Sequence, residues 1–273
     1  MTARPRLPHS LLALLFLASP LKAQELHDCV IQPTVTARLG SPIGGILDSV
    51  LVERGDFVQA GDPVARLRSD IEQADLAIAT EQAASDSDIK AQEARLRLAQ
   101  TRRDRLVTLV DRKISAQDEL DEAESALEVI RRELAMAETR QRMAQLELRR
   151  AQALVGQRTI RSPVSGVVVD RGLSAGEYVS ADAAIVTVAQ LDPLSVEAFL
   201  PVDLSAGLEV GRPVEVLPDA PIGGSHRGEL VLVDRVFDTA SQTFAVRARI
   251  ANPDLAIPAG HLCQLRILPD TAP

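Results

Sequence analysis

Cysteine and histidine are the residue types that most often carry chemistry, and this chain of 273 residues has two cysteines and four histidines. Cys29 and Cys263 lie near opposite ends of the chain, each within a strand-like stretch. Neither has a second cysteine or a histidine at the spacing that a zinc site needs. We therefore expect no metal site, and two readings of the thiols stay open: a disulfide, or two separate buried thiols.

No recognised catalytic pattern surrounds the remaining polar residues. The sequence contains no GxSxG, HExxH, P-loop or GxGxxG motif. Aromatic residues make up only 2% of the chain and the net charge is −8, which disfavours surfaces that stack on bases or bind phosphates. We expect no enzyme activity, no catalytic residues, no cofactor and no nucleic-acid partner.

The first 23 residues have the pattern of an export signal. Arg4 and Arg6 precede an apolar run over 11–18, and Ala23 is a small residue suited to signal peptidase. The run is far shorter than the roughly 20 residues of a membrane-spanning helix. We expect a cleavable signal peptide over 1–23, with an uncleaved N-terminal anchor as the alternative. Export leads to an oxidising compartment, in which the two cysteines can pair.

An internal repeat is the most informative pattern in the chain. Residues 41–67 align without a gap to residues 162–188, which begin 121 positions later. Matched positions share a residue type or a physical property: Ser41 with Ser162, Gly45 with Gly166, Gly55 with Gly176, Val64 with Ile185, and Leu67 with Val188. Each copy has the alternation and glycine turns of short β-strands, but about 27 residues cannot bury a core alone. The two copies together predict one small β-sandwich that is split in sequence.

The residues between the two copies predict helices. From Asp70 to Gly156 there is no proline and no earlier glycine, and strong helix formers dominate. In the second part, two heptad positions hold mostly apolar residues: Leu120, Leu127, Leu134, Gln141, Leu148 and Val155 at one, and Ala123, Ile130, Ala137, Ala144 and Ala151 at the other. This pattern predicts an antiparallel α-helical coiled-coil hairpin, with a first helix over 70–110 and a break near 111–115. Such a hairpin is either a solvated spacer or an arm that reaches a partner.

After position 190 the pattern returns to short strands separated by Gly, Pro, Asn and Asp loops, as in a small β-barrel. The fold class is therefore an elongated, multi-domain α+β protein. Its expected organisation is a signal peptide over 1–23, an N-terminal strand of the barrel over 24–37, the split domain over 38–69 and 157–190, the hairpin over 70–156, and the barrel with a tail over 191–273.

In this order, the segments resemble the periplasmic adaptor proteins of tripartite efflux pumps, the membrane fusion proteins of the HlyD type. The halves read SPIGG…GDFVQAGDPVARL and SPVSG…GEYVSADAAIV, and the barrel region carries Asn252-Pro253 and 258–260 (PAG). The resemblance implies a lipoyl-like domain in two halves, with the hairpin between them and a β-barrel after them. True lipoyl domains carry a modified lysine at the turn that the hairpin occupies here. Lys90 and Lys113 lie in the hairpin, so we expect no lipoylation.

The resemblance also implies a docking site. In members that dock TolC-like outer-membrane channels, the hairpin tip carries an Arg…Leu…Ser pattern, which Arg105, Leu109 and Ser115 match with a Leu-to-Ser spacing one residue shorter. The alternative is structural: an arginine near a helix end, a leucine between the helices and an N-cap serine for the second helix.

The implied function is that of a periplasmic adaptor. It would link an inner-membrane resistance-nodulation-division (RND) transporter to an outer-membrane channel, as a homo-oligomeric ring of six protomers. Many members continue into a membrane-proximal domain, whereas this sequence stops at Pro273, so we expect the barrel or the N-terminal segment to contact the transporter. The alternative is an adaptor of another export system with the same architecture, for peptide secretion or metal handling.

Overall fold

The computed structural model describes residues 25–269, which divide into two compact units. The barrel unit comprises the described residues up to Gln32 together with those from Pro193 onward, and the sandwich unit comprises Pro33–Asp192. The predicted signal peptide over 1–23 lies outside the described residues.

In chain order, the elements are β1 (Leu26–Leu39), β2 (Gly45–Val50), β3 (Phe57–Val58), β4 (Pro63–Leu67), α1 (Asp70–Ala84), α2 (Ser87–Asp111), α3 (Gln117–Gln157), β5 (Thr159–Arg161), β6 (Gly166–Arg171), β7 (Tyr178–Val179), β8 (Val186–Pro201), a 3-10 helix (Val202–Ser205), β9 (Pro213–Pro218), β10 (His226–Val233), β11 (Thr243–Ile250) and β12 (His261–Ile267). The chain passes from one unit to the other within β1 and again within β8.

The barrel unit is a set of antiparallel strands in the order β1-β12-β9-β10-β11-β8, and β1 also pairs with β8. Alternate residues of β11 and β8 are buried, because successive side chains of a strand point to opposite faces of the sheet. The buried set is Leu194, Val196, Ala198 and Leu200 from β8, and Phe244, Val246, Ala248 and Ile250 from β11. These residues give the barrel unit its own apolar core.

Cys29 and Cys263 face each other in this unit. They are paired across the antiparallel register of β1 and β12, both are buried, and their Cα atoms are 4.9 Å apart. The structure joins their sulfur atoms in a disulfide across 234 positions of sequence. Of the two readings that the sequence leaves open, the structure therefore contains the bridge.

The sandwich unit is built from the two repeat copies, and each copy completes the other. Ile46 in β2 pairs with Tyr178 in β7, and Phe57 in β3 pairs with Val167 in β6, which is the same contact with the copies exchanged. The two longer pairings also correspond: Leu47 with Leu67, and Val168 with Val188. This reciprocity explains why one copy would not fold alone.

The turns of the two copies are equivalent in detail. Gly55 and Gly176 have φ of 100° and 90°, in the region that favours glycine. The carboxylate that follows each glycine accepts a hydrogen bond from a backbone N–H three residues earlier: Asp56 from Glu53 at 2.8 Å, and Glu177 from Ser174 at 2.7 Å. The 121-residue repeat therefore encodes the same local structure twice.

The helices of the sandwich unit follow the first repeat copy. Both α1 and α2 pack against α3 and run antiparallel to it, since Glu72 pairs with Arg158 whereas Asp88 pairs with Arg140. In α3 the two predicted heptad positions hold all the buried and half-buried residues except Glu133, and among them Leu120, Ala123, Leu127, Ala137 and Ala151 are buried. None of the described helices has the length and apolarity needed to cross a membrane.

One expectation about the helices is wrong. The sequence predicted a single first helix over 70–110, but the structure ends α1 at Ala84 and begins α2 at Ser87. Ser85 is extended, with φ of −74° and ψ of 116°. Helix propensity alone did not indicate this break, because no glycine or proline lies there.

Candidate functional site

The helical segment formed by α1, α2 and α3 has two ends, which differ in their contacts. We call the root the junction of α1 and α3 with the strands, which includes Leu67, Arg68, Glu72 and Arg158. We call the tip the turn between α2 and α3 together with its flanking residues, 105–121. The predicted docking residues all lie at the tip.

An ion pair joins the two helices at the root. The guanidinium of Arg158, just after α3, hydrogen-bonds the carboxylate of Glu72 in the first turn of α1, and the two side chains are only 20% and 19% exposed. A backbone N–H hydrogen bond, together with Arg158, holds the pKa of the Glu72 carboxyl below its ordinary value. Partial burial makes this pair less open to screening than a surface ion pair.

Backbone hydrogen bonds tie the root to the strands. The N–H of Leu67, the last residue of β4, donates to the carbonyl of Arg158 at 2.8 Å. The N–H of Arg68 donates to the carbonyl of Ile46 in β2 at 2.9 Å. Leu67 is itself buried in the sandwich core. The ends of α1 and α3 are therefore both attached to the same small β-domain.

The tip ends α2 with a Schellman motif. Arg112 is the C-cap and Lys113, with φ of 59°, occupies the left-handed position that usually holds glycine. The N–H of Lys113 donates to the carbonyl of Val110 at 2.8 Å, and the N–H of Ile114 donates to the carbonyl of Leu109 at 2.9 Å. These two bonds satisfy carbonyls that a helix C-terminus otherwise leaves unpaired. The turn at the tip is therefore a defined structure.

The three predicted docking residues have different surroundings. Arg105 is exposed on α2, one helical turn before Leu109. Leu109 is half-buried, and its carbonyl accepts the Schellman hydrogen bond from the N–H of Ile114. Ser115 is half-buried, and its hydroxyl donates to the carboxylate of Glu119. The structure places Leu109 and Ser115 on opposite sides of the turn.

The expectation that Ser115 is the N-cap of the second helix is wrong by one residue. Ala116 occupies the N-cap position, and no side chain caps the first turn of α3 there. The Ser115 hydroxyl instead bonds Glu119, and the Gln117 amide donates to the carboxylate of Asp121 at 2.9 Å. Side-chain pairs four residues apart therefore organise the first turn of α3.

Ile114 is a tip residue that the sequence did not single out. Its side chain is 69% exposed, although it follows directly on the left-handed Lys113. An exposed isoleucine on a structured turn offers an apolar contact to a partner, because burial of apolar surface favours association between proteins. An apolar residue two positions after a helix C-cap is the sequence signal that would have indicated it.

Both signs of charge are exposed at the tip. The end of α2 and the turn present the basic residues Arg105, Arg112 and Lys113 together with the acidic Asp111. The start of α3 presents the exposed acidic residues Asp118 and Glu119. Within the described residues, no group of three or more His, Cys, Asp or Glu side chains is placed to hold a metal ion. The tip therefore offers an apolar contact flanked by both signs of charge.

Comparison with protein families gives one match that covers more than half of the chain. Residues 35–190 match the model described as CzcB-like, barrel-sandwich hybrid domain. This range contains both repeat copies and all three helices.

Two curated relatives carry the same name. The chain is 28% identical to multidrug resistance protein MdtA of Cronobacter turicensis, over 87% of this chain and 56% of that protein. It is 26% identical to multidrug resistance protein MdtA of Photorhabdus laumondii, over 88% and 59% respectively. The chain therefore spans a little over half the length of these relatives.

Solved structures share the fold at lower identity. The crystal structure of MacA from Actinobacillus actinomycetemcomitans has a TM-score of 0.74 and 20% identity, over 89% of this chain and 77% of that chain. The membrane fusion protein Spr0693 from Streptococcus pneumoniae R6 has a TM-score of 0.62 and 17% identity, over 90% and 100%. At these identities the likeness shows the fold.

Proposed function

Because this chain belongs to the family with the CzcB-like barrel-sandwich hybrid domain, we propose that it is a membrane fusion protein, the adaptor subunit of an efflux pump. In the full proposal, it links an inner-membrane RND transporter to an outer-membrane TolC-like channel in the periplasm. It reaches that compartment through the cleavable signal peptide over 1–23. It acts by bridging and sealing, with no catalytic step of its own.

The observation that carries this proposal is the attachment of the helices at the root. Glu72 and Arg158 join α1 to the end of α3, and Leu67 and Arg68 tie both to β2 and β4. A helical projection with both ends in one β-domain can transmit a displacement, which a tethered spacer cannot do. We propose that α1, α2 and α3 work as a coiled-coil hairpin arm with this rigid base.

The composition of the tip supports its use as a docking site. Ile114 is exposed on a turn that two Schellman hydrogen bonds hold, and Arg105 is exposed one turn before Leu109. Burial of apolar surface favours association, and arginine is enriched at protein interfaces. We propose that Arg105, Leu109 and Ser115, together with Ile114, meet the outer-membrane channel.

The names of the relatives support the efflux part of the proposal. Two curated relatives are multidrug resistance proteins, and one structural neighbour is a membrane fusion protein. On this basis we propose drug or metal efflux as the process. We further propose that the chain works as a ring of protomers, with six as the expected number.

The docking claim is tested by reversing charge at the tip while a matched variant reverses it elsewhere on the helices. The test variant is R105E with S115E. The control is R97E with S125E, which makes the same change in charge at exposed positions away from the tip. Both variants are expressed with the transporter and the channel in a strain that lacks its own pump, and tolerance to a panel of dyes, antibiotics and metal ions is measured.

We expect the test variant to lose tolerance and the control to keep it, with both proteins retaining the helical circular dichroism of the wild type. Unchanged tolerance in the test variant would contradict docking through this tip. Co-purification of the wild-type chain with the transporter tests the adaptor function itself. If the tip variant loses tolerance but still co-purifies with the transporter, docking through the tip is distinguished from binding to the transporter.

A further inference from the structure

The spacing of buried and half-buried side chains changes between α1 and α2, the two helices that pack against α3. In α1 the buried and half-buried positions are 72, 76, 79 and 83. In α2 the buried and half-buried positions 89, 92, 96, 99, 103, 106 and 110 form the corresponding series, and 100, 107 and 109 are half-buried beside it. Each series alternates steps of three and four, as expected for a helix packed against one partner. If the alternation of α1 continued, the next positions after 83 would be 86 and 90. The next half-buried position is instead 89, at which the series of α2 begins.

This spacing is one residue short of a full heptad. One residue corresponds to a rotation of about 100° in an α-helix with 3.6 residues per turn. In an uninterrupted helix, the apolar stripe of α2 would therefore point about 100° away from the stripe of α1. The stripe of α3 has no such step, because its buried and half-buried positions, apart from Glu133, keep one heptad frame from Leu120 to Val155. An unbroken first helix could not face α3 along its whole length.

The break at Ser85 and Asp86 removes this conflict. Ser85 is extended, so it advances the chain by about 3.3 Å, compared with about 1.5 Å for a helical residue. Six residues that include one extended residue then span about 10.8 Å, which is close to the about 10.5 Å of seven helical residues. The break therefore preserves axial length while it rotates α2 back toward α3.

Two consecutive residues of α3 hold the two sides of the break. The side-chain amide of Gln141 donates to the carbonyl of Ala83 at 2.5 Å, in the last turn of α1. The guanidinium of Arg140 pairs with the carboxylate of Asp88, in the first turn of α2. The carbonyls of a last helical turn have no partner within their own helix, so Gln141 satisfies one of them.

This contact explains a sequence anomaly. Gln141 is the only polar residue at its heptad position in α3, where the other five members are leucine or valine. An amide among apolar residues usually lowers stability unless it makes a specific hydrogen bond. Here the bond goes to the carbonyl that the break leaves open.

We propose that Ser85 and Asp86 form a register joint, which we define as a built break that resets the heptad phase between α1 and α2. Gln141 and Arg140 are its positioning residues. The joint orients the distal part of the arm relative to the root, and it is the place where the arm opens first. The proposal depends only on the packing of the helices and not on the identity of any partner.

The decisive experiment inserts one alanine between Ser85 and Asp86. This insertion places the following stripe position seven residues after Ala83, so the heptad frame becomes continuous. The matched control inserts one alanine between Leu98 and Ala99, where the frame is already continuous. Both variants of the full chain are studied by circular dichroism at 222 nm, by thermal unfolding and by hydrogen exchange.

We expect the insertion at the joint to keep or raise the melting temperature, to increase the helical signal and to slow amide exchange over residues 82–90. The control insertion should lower the melting temperature by several degrees, because it shifts the stripe that follows it. An insertion at the joint that destabilises the protein as much as the control, or prevents folding, would overturn the proposal.

The positioning residues are tested separately. Gln141→Leu removes the amide but keeps an apolar side chain at the position, and Gln145→Leu makes the same change at an exposed position of α3. We expect amide exchange over residues 82–90 to become at least several-fold faster in the first variant and to stay unchanged in the second. Equal exchange in both variants would show that Gln141 does not hold the joint.

Discussion

The barrel unit and the sandwich unit each hold together segments that are distant in sequence, but they are stabilised by different contacts. Each is discontinuous in sequence: residues 33–192 separate the two parts of the barrel unit, and the helices separate the two repeat copies of the sandwich unit. Bringing distant segments together costs conformational entropy, which grows slowly with the length of the loop. The barrel unit offsets this cost with a covalent bond, whereas the sandwich unit relies on reciprocal strand pairing, an apolar core and the ion pair at the root.

The difference shows where each unit can be broken. A single redox change acts on the barrel unit, because the disulfide between Cys29 and Cys263 cross-links its two segments directly. No single contact has that role in the sandwich unit, so its stability should decrease in smaller steps that follow burial. The following changes test this contrast, in order of expected effect.

Loss of the disulfide should have the largest effect. Replacing both Cys29 and Cys263 with serine should destabilise the barrel unit by about 5 kcal/mol, the upper end of the usual range for a native disulfide, since the closed loop is long. Hydrogen exchange should accelerate in β1 and β12 while exchange in β2, β4 and β6 stays unchanged. Reduction of the wild-type chain should reproduce this pattern.

The pairing itself is checked by intact mass after alkylation. We expect no alkylation of the unfolded chain before reduction and two added groups after reduction. Labelling before reduction would show that the two thiols are separate.

Truncation of a core residue in the sandwich unit should come next. Leu67→Ala removes a buried side chain next to the root and should cost about 2–5 kcal/mol in the free energy of unfolding. Leu51→Ala, in the same unit but at a side chain that is 42% exposed, should cost less than about 1 kcal/mol. Chemical denaturation, monitored through hydrogen exchange of the amides in the sandwich unit, measures the loss of stability in each variant. An equal loss in the two variants would contradict the assignment of the core.

The ion pair at the root should contribute less and should depend on pH. Because Glu72 is only partly buried, Glu72→Gln should cost about 1 kcal/mol at neutral pH. The pKa of Glu72 is lowered in the folded chain, so this contribution is present above the ordinary carboxyl pKa and is lost as the pH falls through the lowered value.

The melting temperature of Glu72→Gln should therefore approach that of the wild type at acidic pH. Glu128→Gln, which removes an exposed pair with Arg132 on α3, is the control and should have little effect at any pH. A constant difference between Glu72→Gln and the wild type across this pH range would exclude the titration of Glu72 as the cause.

The smallest effect should be a stabilisation at the tip. Lys113 has φ of 59°, which glycine adopts without strain, so Lys113→Gly should stabilise the fold by about 0.5–1 kcal/mol. Arg97→Gly, in the interior of α2, should instead destabilise it by about 1 kcal/mol. A destabilised Lys113→Gly would indicate that the lysine side chain, rather than the backbone, holds the turn.

Several features were predictable from sequence because they repeat. The 121-residue offset indicated one split domain, and the equivalent turns at Gly55 and Gly176 follow from it. The heptads of α3 identified its buried positions, since burial against one partner depends on periodicity alone. Arg105 and Ser115 were placed near the turn by the resemblance to the adaptor family together with the helix break predicted near 111–115. The distinctive contacts of the tip, such as the Schellman bonds of Lys113 and Ile114, depend on a single residue in the left-handed conformation and leave little trace in composition.

The boundary between the two units was harder to locate. β1 and β8 each continue from one unit into the other, so no turn marks the change. The units change at Pro33 and Pro193, within long strands where proline removes a ladder donor. Pro33, within the predicted N-terminal strand over 24–37, was the available signal for the first of these boundaries.

The sequence by itself determined the elements whose cause is local: the repeat copies, the helix-forming stretch, the heptad stripe of α3 and the alternation of the barrel strands. Only the tertiary structure decided how distant residues meet. It placed Cys29 opposite Cys263, joined Glu72 to Arg158, and broke the first helix at Ser85. The physical reason is the same in each case, because these features depend on the register between segments that are far apart in the chain, and a periodic pattern in one segment does not specify the phase of its partner.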